Sequence, residues 1–187
     1  MKYFINSQPK AGTYLAANIL QSMSVEPTNI HVTPAGYHKY DPQRLEEGRS
    51  NPQNFFVSRN WTEAFHLVSQ NQFMVGHIPY SETADILTHS WKRIILWRDA
   101  KTATESYERW QKESGRNKAF KDQTQIMFDW MDKYNIFVMR FEDMVGKNYS
   151  IIDDLQKYLY SDILFDSENI LNRALNSPSL TKSTKRV

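Results

Sequence analysis

Four short, nearly unbroken apolar runs, Tyr3–Ile5, Phe73–Val75, Ile94–Trp97 and Ile136–Met139, are the strongest constraint in this sequence. Each is too brief for a helix and lacks polar alternation, the pattern of a strand covered on both faces. Between and after them, apolar residues recur at helical spacing over residues 13–23, 60–70, 82–90, 100–114, 119–134, 149–160 and 167–175. In 119–134, Phe120, Met127, Met131 and Tyr134 fall on one helical face. Asp166 or Ser167 is the expected N-cap of the last helix. Strands that alternate with helices predict an α/β domain.

The length of 187 residues suits one domain spanning 1–187. With 23 Lys and Arg against 21 Asp and Glu, the net charge of +2 gives no reason to expect nucleic acid or a membrane surface as a partner. The chain has no cysteine, which excludes disulfides, thiolate metal sites and a cysteine nucleophile. It also has no long apolar run, and Met1–Asn6 turns polar after three apolar residues, so a soluble, cytoplasmic protein is expected. Residues 27–59 carry Pro27, Pro34, Gly36, Pro42, Gly48 and Pro52 with no sustained period, and read as a long functional loop. The polar, basic end from Ser177 to Val187 is expected to be flexible without a ligand.

Three segments carry chemistry. Ser7-Gln8-Pro9-Lys10-Ala11-Gly12-Thr13-Tyr14 joins a strand to a helix. There, backbone N–H groups, the positive end of the helix and a lysine together make an anion cradle. The alternative is an ordinary turn in which Pro9 fixes φ, Gly12 relieves crowding and Lys10 is solvated. It is not a Walker A loop, since the lysine precedes the glycine. His77, just past the second apolar run, is placed to accept a proton from a hydroxyl at neutral pH, or to be a structural histidine. Arg98 ends the third run and Ser106 follows eight residues later. The pair suits a phosphate clamp, or else Arg98 pairs with Asp99 or Glu105 at the surface. His31, His38, His66 and His89 show no metal-like spacing and read as surface or packing residues.

In this order, these segments resemble the sulfotransferases that use 3′-phosphoadenosine 5′-phosphosulfate (PAPS). Pro9-Lys10-Ala11-Gly12-Thr13 is similar to that family's 5′-phosphosulfate loop, and Gly76-His77-Ile78-Pro79 to its His-Leu-Pro segment. Arg98-Asp99-Ala100 with Ser106 is similar to its 3′-phosphate motif, and Met139-Arg140-Phe141-Glu142-Asp143-Met144 to the strand that ends Tyr-Glu-Asp. The landmarks span residues 3–146.

The resemblance implies a three-layer α/β sandwich with a central parallel sheet, related to P-loop NTPases. It implies sulfuryl transfer from PAPS, with 3′-phosphoadenosine 5′-phosphate (PAP) as product, to an acceptor hydroxyl or amine on a small molecule or carbohydrate, without a metal. Lys10, Ala11, Gly12, Thr13 and Tyr14 would hold the 5′-phosphosulfate, and Arg98 and Ser106 the 3′-phosphate. Lys10 would stabilise developing charge and His77 would be the general base.

The chain departs from the pattern at several positions. Leu15 stands where many members have a tryptophan that stacks on adenine, and Phe141 replaces a tyrosine near the same ring. Ser177-Pro178-Ser179-Leu180-Thr181-Lys182 enters the family's closing loop, but its Gly and Trp do not follow, as expected of a truncated or minimal end. Lys182, Lys185 and Arg186 would supply part of the 3′-phosphate contact. The alternatives are a non-catalytic PAP-binding or scaffolding module and, further off, a small P-loop kinase. Expected acceptor walls are 27–60 and 111–122, with Tyr37, Tyr40, Phe55, Phe56, Trp61 and Trp110 either lining a pocket or covering a core.

Overall fold

The first apolar run lies inside a seven-stranded sheet. A computed structural model describes residues 1–40, 54–114 and 124–177. Its strands are β1 (Tyr3–Ser7), β2 (Glu26–Thr33), β3 (Gly36–Tyr40), β4 (Asn54–Ser58), β5 (Gln72–Gly76), β6 (Lys92–Trp97) and β7 (Ile136–Arg140), in the order β4-β3-β2-β5-β1-β6-β7. The helices are α1 (Thr13–Ser22), α2 (Glu63–His66), α3 (Glu82–Thr88), α4 (Ala100–Ser114), α5 (Thr124–Met131), α6 (Phe141–Val145), α7 (Ser150–Tyr160) and α8 (Ser167–Asn176).

Every residue of β1 is buried, and its side chains alternate between two cores. Tyr3 and Ile5 join Leu15, Ile19, Leu20, Leu155 and Leu171 on the face covered by α1, α7 and α8. Phe4 joins Phe65, Trp91, Met127 and Trp130 on the other face. Its ring meets those of Phe65 and Trp130 edge to face, with centroids 5.5 and 6.1 Å away. Burial on both faces is why the central strands read as continuous apolar runs. Asp166 caps α8 as expected, its side chain accepting from the Asn169 N–H at 3.1 Å.

Five strands, β2, β5, β1, β6 and β7, are mutually parallel, whereas β3 and β4 add an antiparallel edge. The sheet is therefore mixed. The stretch 27–59 expected as loop contributes β2, β3 and β4 within its described part. Short strands broken by a turn at Pro34–Gly36 leave no period long enough to recognise. The helix expected over 119–134 spans Thr124–Met131, and Phe120 lies outside the described residues. Tyr134, assigned to that helix's apolar face, is 91% exposed because the helix has already ended. Its carbonyl instead accepts from the guanidinium of Arg93, which is buried on β6 and also pairs with Asp85. Among the described residues no helix is long and apolar enough to cross a membrane.

Gly76 is required by close approach. A Cβ there would lie 2.5 Å from Val32 Cγ2 and 3.1 Å from Phe4 Cε2, both in a packed core. Gly76→Ala is therefore expected to destabilise the fold by about 1–3 kcal/mol, read from the denaturant midpoint.

Candidate functional site

Strands β1, β5 and β6 run parallel, so their carboxyl ends open on one edge of the sheet. β1 lies between the other two, where the order of strands reverses, the position at which open α/β sheets bind ligands. Three consecutive polar residues at this end, Asn6, Ser7 and Gln8, are fully buried, and each reaches a neighbouring segment. Asn6 donates to the Ile78 carbonyl at 2.9 Å and accepts from the Ile78 N–H at 3.0 Å. Trp130 Nε1 donates to the same carbonyl at 3.0 Å. The Ser7 carbonyl accepts from His77 Nδ1 at 2.8 Å, and Ser7 Oγ lies 3.1 Å from that nitrogen and 2.6 Å from Thr13 Oγ1. Gln8 Nε2 donates to the Arg98 carbonyl at 2.9 Å.

The chain then turns sharply, with Lys10 at φ 67 and Gly12 at φ 89. A Cβ on Gly12 would meet Phe141 Cδ2 at 2.6 Å, so only glycine fits in this conformation against this ring. Gly12 is the N-cap of α1, whose first turn has no acidic residue and no side-chain cap. Its leading N–H groups and positive end therefore face the turn. Arg98 joins β6 to the same turn. Nη1 donates to the Lys10 carbonyl at 3.2 Å, Nε donates to Thr102 Oγ1 at 3.1 Å, and the guanidinium stacks 4.0 Å from the Phe141 ring centroid. Lys10 Nζ lies 4.3 Å from the Trp110 ring centroid.

Of the residues expected to form the site, Lys10, Ala11, Gly12, Thr13, His77, Arg98 and Phe141 thus gather at one edge. Ser106 is half-buried on α4, on the second turn after Arg98. Tyr14 opens α1, but its hydroxyl bonds to that of Tyr40 and lies 3.3 Å from His31 Nδ1, on the β2 side. Lys182, Lys185 and Arg186 lie outside the described residues. Of the expected wall aromatics, Tyr40 and Trp110 reach the site. Tyr37 is buried in the core, Trp61 packs on Phe65, and Phe55 and Phe56 stand exposed on β4.

A backbone carbonyl can only accept, so the bond to Ser7 puts the His77 proton on Nδ1 and leaves a lone pair on Nε2. Burial, partly offset by that bond and reinforced by the charge of Lys10, lowers His77 from 6.5 to about 4. His31, read from sequence as a surface or packing residue, belongs to this site, with its ring centroid 4.6 Å from that of His77. Two features bring it there. The β2–β5 register shifts between Pro27 and His31, and the His77 N–H donates to the Val32 carbonyl at 2.9 Å. Asn6 and Gln8 were also missed. Their signal is a run of three polar residues continuing an apolar strand.

No protein-family model matches the sequence, and no curated protein matches it. Solved structures do. Mouse sulfotransferase SULT7A1 complexed with PAP superposes with a TM-score of 0.56 at 14% identity, over 92% of this chain and 63% of that one. Retinol dehydratase with androsterone and the inactive cofactor PAP gives 0.56 at 14% identity, over 93% and 63%. Retinol dehydratase with retinol and PAP gives 0.52 at 15% identity, over the same shares. The chain therefore has the sulfotransferase fold, and spans 63% of the length of these structures.

The depressed His77 has a consequence for stability. Unfolded, its imidazole takes a proton below about pH 6.5; folded, it refuses one until about pH 4. The unfolded state thus binds more protons across that window, so stability is full above it and is lost as pH falls through it. His31, also held well below 6.5 by burial, acts in the same direction. Denaturant midpoints are expected to fall between about pH 7 and pH 4, and His77→Gln should flatten this slope without abolishing it.

Proposed function

We propose that this chain, acting as one domain, transfers a sulfuryl group from PAPS to an acceptor hydroxyl or amine of a small molecule or carbohydrate. The observation that carries the reading is convergence. The uncapped start of α1, Lys10, Arg98 and a neutral histidine with a lone pair on Nε2 meet at the reversal point of a sulfotransferase fold. PAP in the related structures supports the choice of nucleotide.

The residues present fit such a donor. The tight packing on Phe141 keeps Gly12 without a side chain, which lets the main chain at the start of α1 approach an anion closely. Lys10, Ala11, Gly12, Thr13 and Tyr14 hold the 5′-phosphosulfate through main-chain N–H groups and one ammonium. Arg98, with Ser106, holds the 3′-phosphate through its planar fork. Phe141 offers an aromatic face beside Arg98. Lys182, Lys185 and Arg186, outside the described residues, would supply part of the 3′-phosphate contact. When bound, PAPS supplies the activated sulfuryl group and a phosphate leaving group. Lys10 and the main-chain donors stabilise the negative charge that grows on the departing oxygen, and His77 Nε2 accepts the acceptor's proton. Neutrality of His77 near pH 7 keeps that lone pair available.

Three variants separate these roles. Arg98→Ala should weaken PAP binding about 10- to 100-fold by calorimetry, because a charge-assisted contact is lost. His77→Ala should lower sulfate transfer by about 10²–10⁴-fold with PAP affinity nearly unchanged. Lys10→Ala should reduce turnover more than PAP affinity. Thermal protection by PAP but not by ATP–Mg²⁺ is expected, and protection by ATP–Mg²⁺ would point to a kinase instead. PAP binding with no transfer to any acceptor would leave a binding module.

A further inference from the structure

Lys10 must bring a flexible side chain to the departing oxygen, and its backbone alone does not aim it. A lysine head on four methylenes carries about 2 kcal/mol of rotamer freedom, which is lost whenever the head is fixed. The structure holds this residue at both ends. Its carbonyl accepts from Arg98 Nη1 at 3.2 Å, just before α4 begins. Its Nζ lies 4.3 Å from the ring centroid of Trp110, farther along the same helix.

The helix that carries the ring is itself anchored. Asp99 caps its start, Oδ1 accepting from the Thr102 N–H at 3.0 Å, and Arg98 Nε donates to Thr102 Oγ1 at 3.1 Å. Ala103 is fully buried. The Trp110 ring also packs against that of Tyr107, with centroids 5.5 Å apart and planes inclined by 49°. Ala103, Ser106, Tyr107 and Trp110 fall at helical spacing on one face. Ser106 lies one turn before Trp110, so the face assigned to the 3′-phosphate also carries the ring.

An indole face attracts an ammonium by about 0.5–2 kcal/mol, the larger value where water is excluded. It acts on the charge as a whole and carries no net charge of its own. A carboxylate in its place would repel the anion that the lysine is to meet. Held over the ring, the ammonium is still close enough to His77 for its charge to act there. We propose that Trp110 is the positioning residue of Lys10, its ring holding the ammonium at the turn for the oxygen that leaves with PAP. The inference rests on the proposed sulfuryl transfer and adds to it a residue that acts through Lys10.

The test uses the whole chain, with PAP, PAPS and 2-phenylethanol as the probe acceptor. In the free chain, ¹H–¹³C spectra should show the Lys10 ε-methylene shifted upfield by the indole ring current, with Overhauser contacts to Trp110 ring protons. Absence of both in the folded parent chain overturns the proposal whether or not any variant folds. Trp110→Leu keeps an apolar side chain of good helix propensity. It should lower kcat about 2- to 30-fold at nearly unchanged PAP affinity. Trp110→Phe, with a weaker aromatic face, should recover part of that loss. In Lys10→Met, where no charge remains, Trp110→Leu should lower kcat no further. A ring that merely packs would have the same effect in both backgrounds, and that result overturns the proposal, as does an unchanged kcat in Trp110→Leu. If the parent chain does not bind PAP, the sulfuryl-transfer reading fails instead. In that case, or with no transfer to the probe, the spectra alone decide the place of Lys10.

Discussion

Everything at the open edge of the sheet depends on how three buried polar side chains are satisfied. Asn6, Ser7 and Gln8 continue β1 without a solvent-facing residue among them. Buried polar groups of this kind are paired or costly, at about 1–3 kcal/mol for each one left alone. Here the partners belong to other segments. Asn6 fixes the loop after β5, the Ser7 hydroxyl ties to Thr13 at the start of α1 while its carbonyl holds the imidazole that the loop carries, and Gln8 fixes the backbone where β6 ends. A requirement internal to one strand thereby sets the relative positions of His77, Arg98 and the turn at Lys10. The side chains at this edge are positioned because the core beneath them demands hydrogen bonds.

The electrostatics follow from the same burial. Two cations, Lys10 and Arg98, stand beside two histidines that burial keeps neutral. Lys10 rests on the aromatic face of Trp110, and Arg98 on Phe141 and the Lys10 carbonyl, with the charges of Glu142, Glu105 and Asp99 also acting on Arg98. For the anion proposed above, such a site would offer donors already in place, the condition under which preorganised charge acts most strongly.

Much of this was legible in the sequence, for identifiable reasons. The four apolar runs all became parallel strands of the sheet, the three central ones because burial on both faces erases polar alternation. The strand-to-helix turn could be read from Pro9, Lys10 and Gly12, whose backbone demands are local. What escaped was non-local or short. β2, β3 and β4 were hidden by Pro27, Pro34 and Gly36, and their pairing is set by tertiary context rather than propensity. His31 looked like any packing histidine, since Tyr14, Tyr40 and His77 join it from three other elements. Tyr134 fitted a helical face in the sequence, yet falls beyond the last turn.

The antiparallel extension β2–β3–β4 divides the site unequally. Lys10, Arg98 and Phe141 are held on the β6 and β7 side, whereas His31 and Tyr40 come from β2 and β3. The buried polar triplet of β1 stands between the halves and is tied to both. Substitutions in β3 therefore bear on the His31 half while leaving the anchors of Lys10 and Arg98 in place, so lineages diverging from such a chain could vary what one half meets and keep what the other holds.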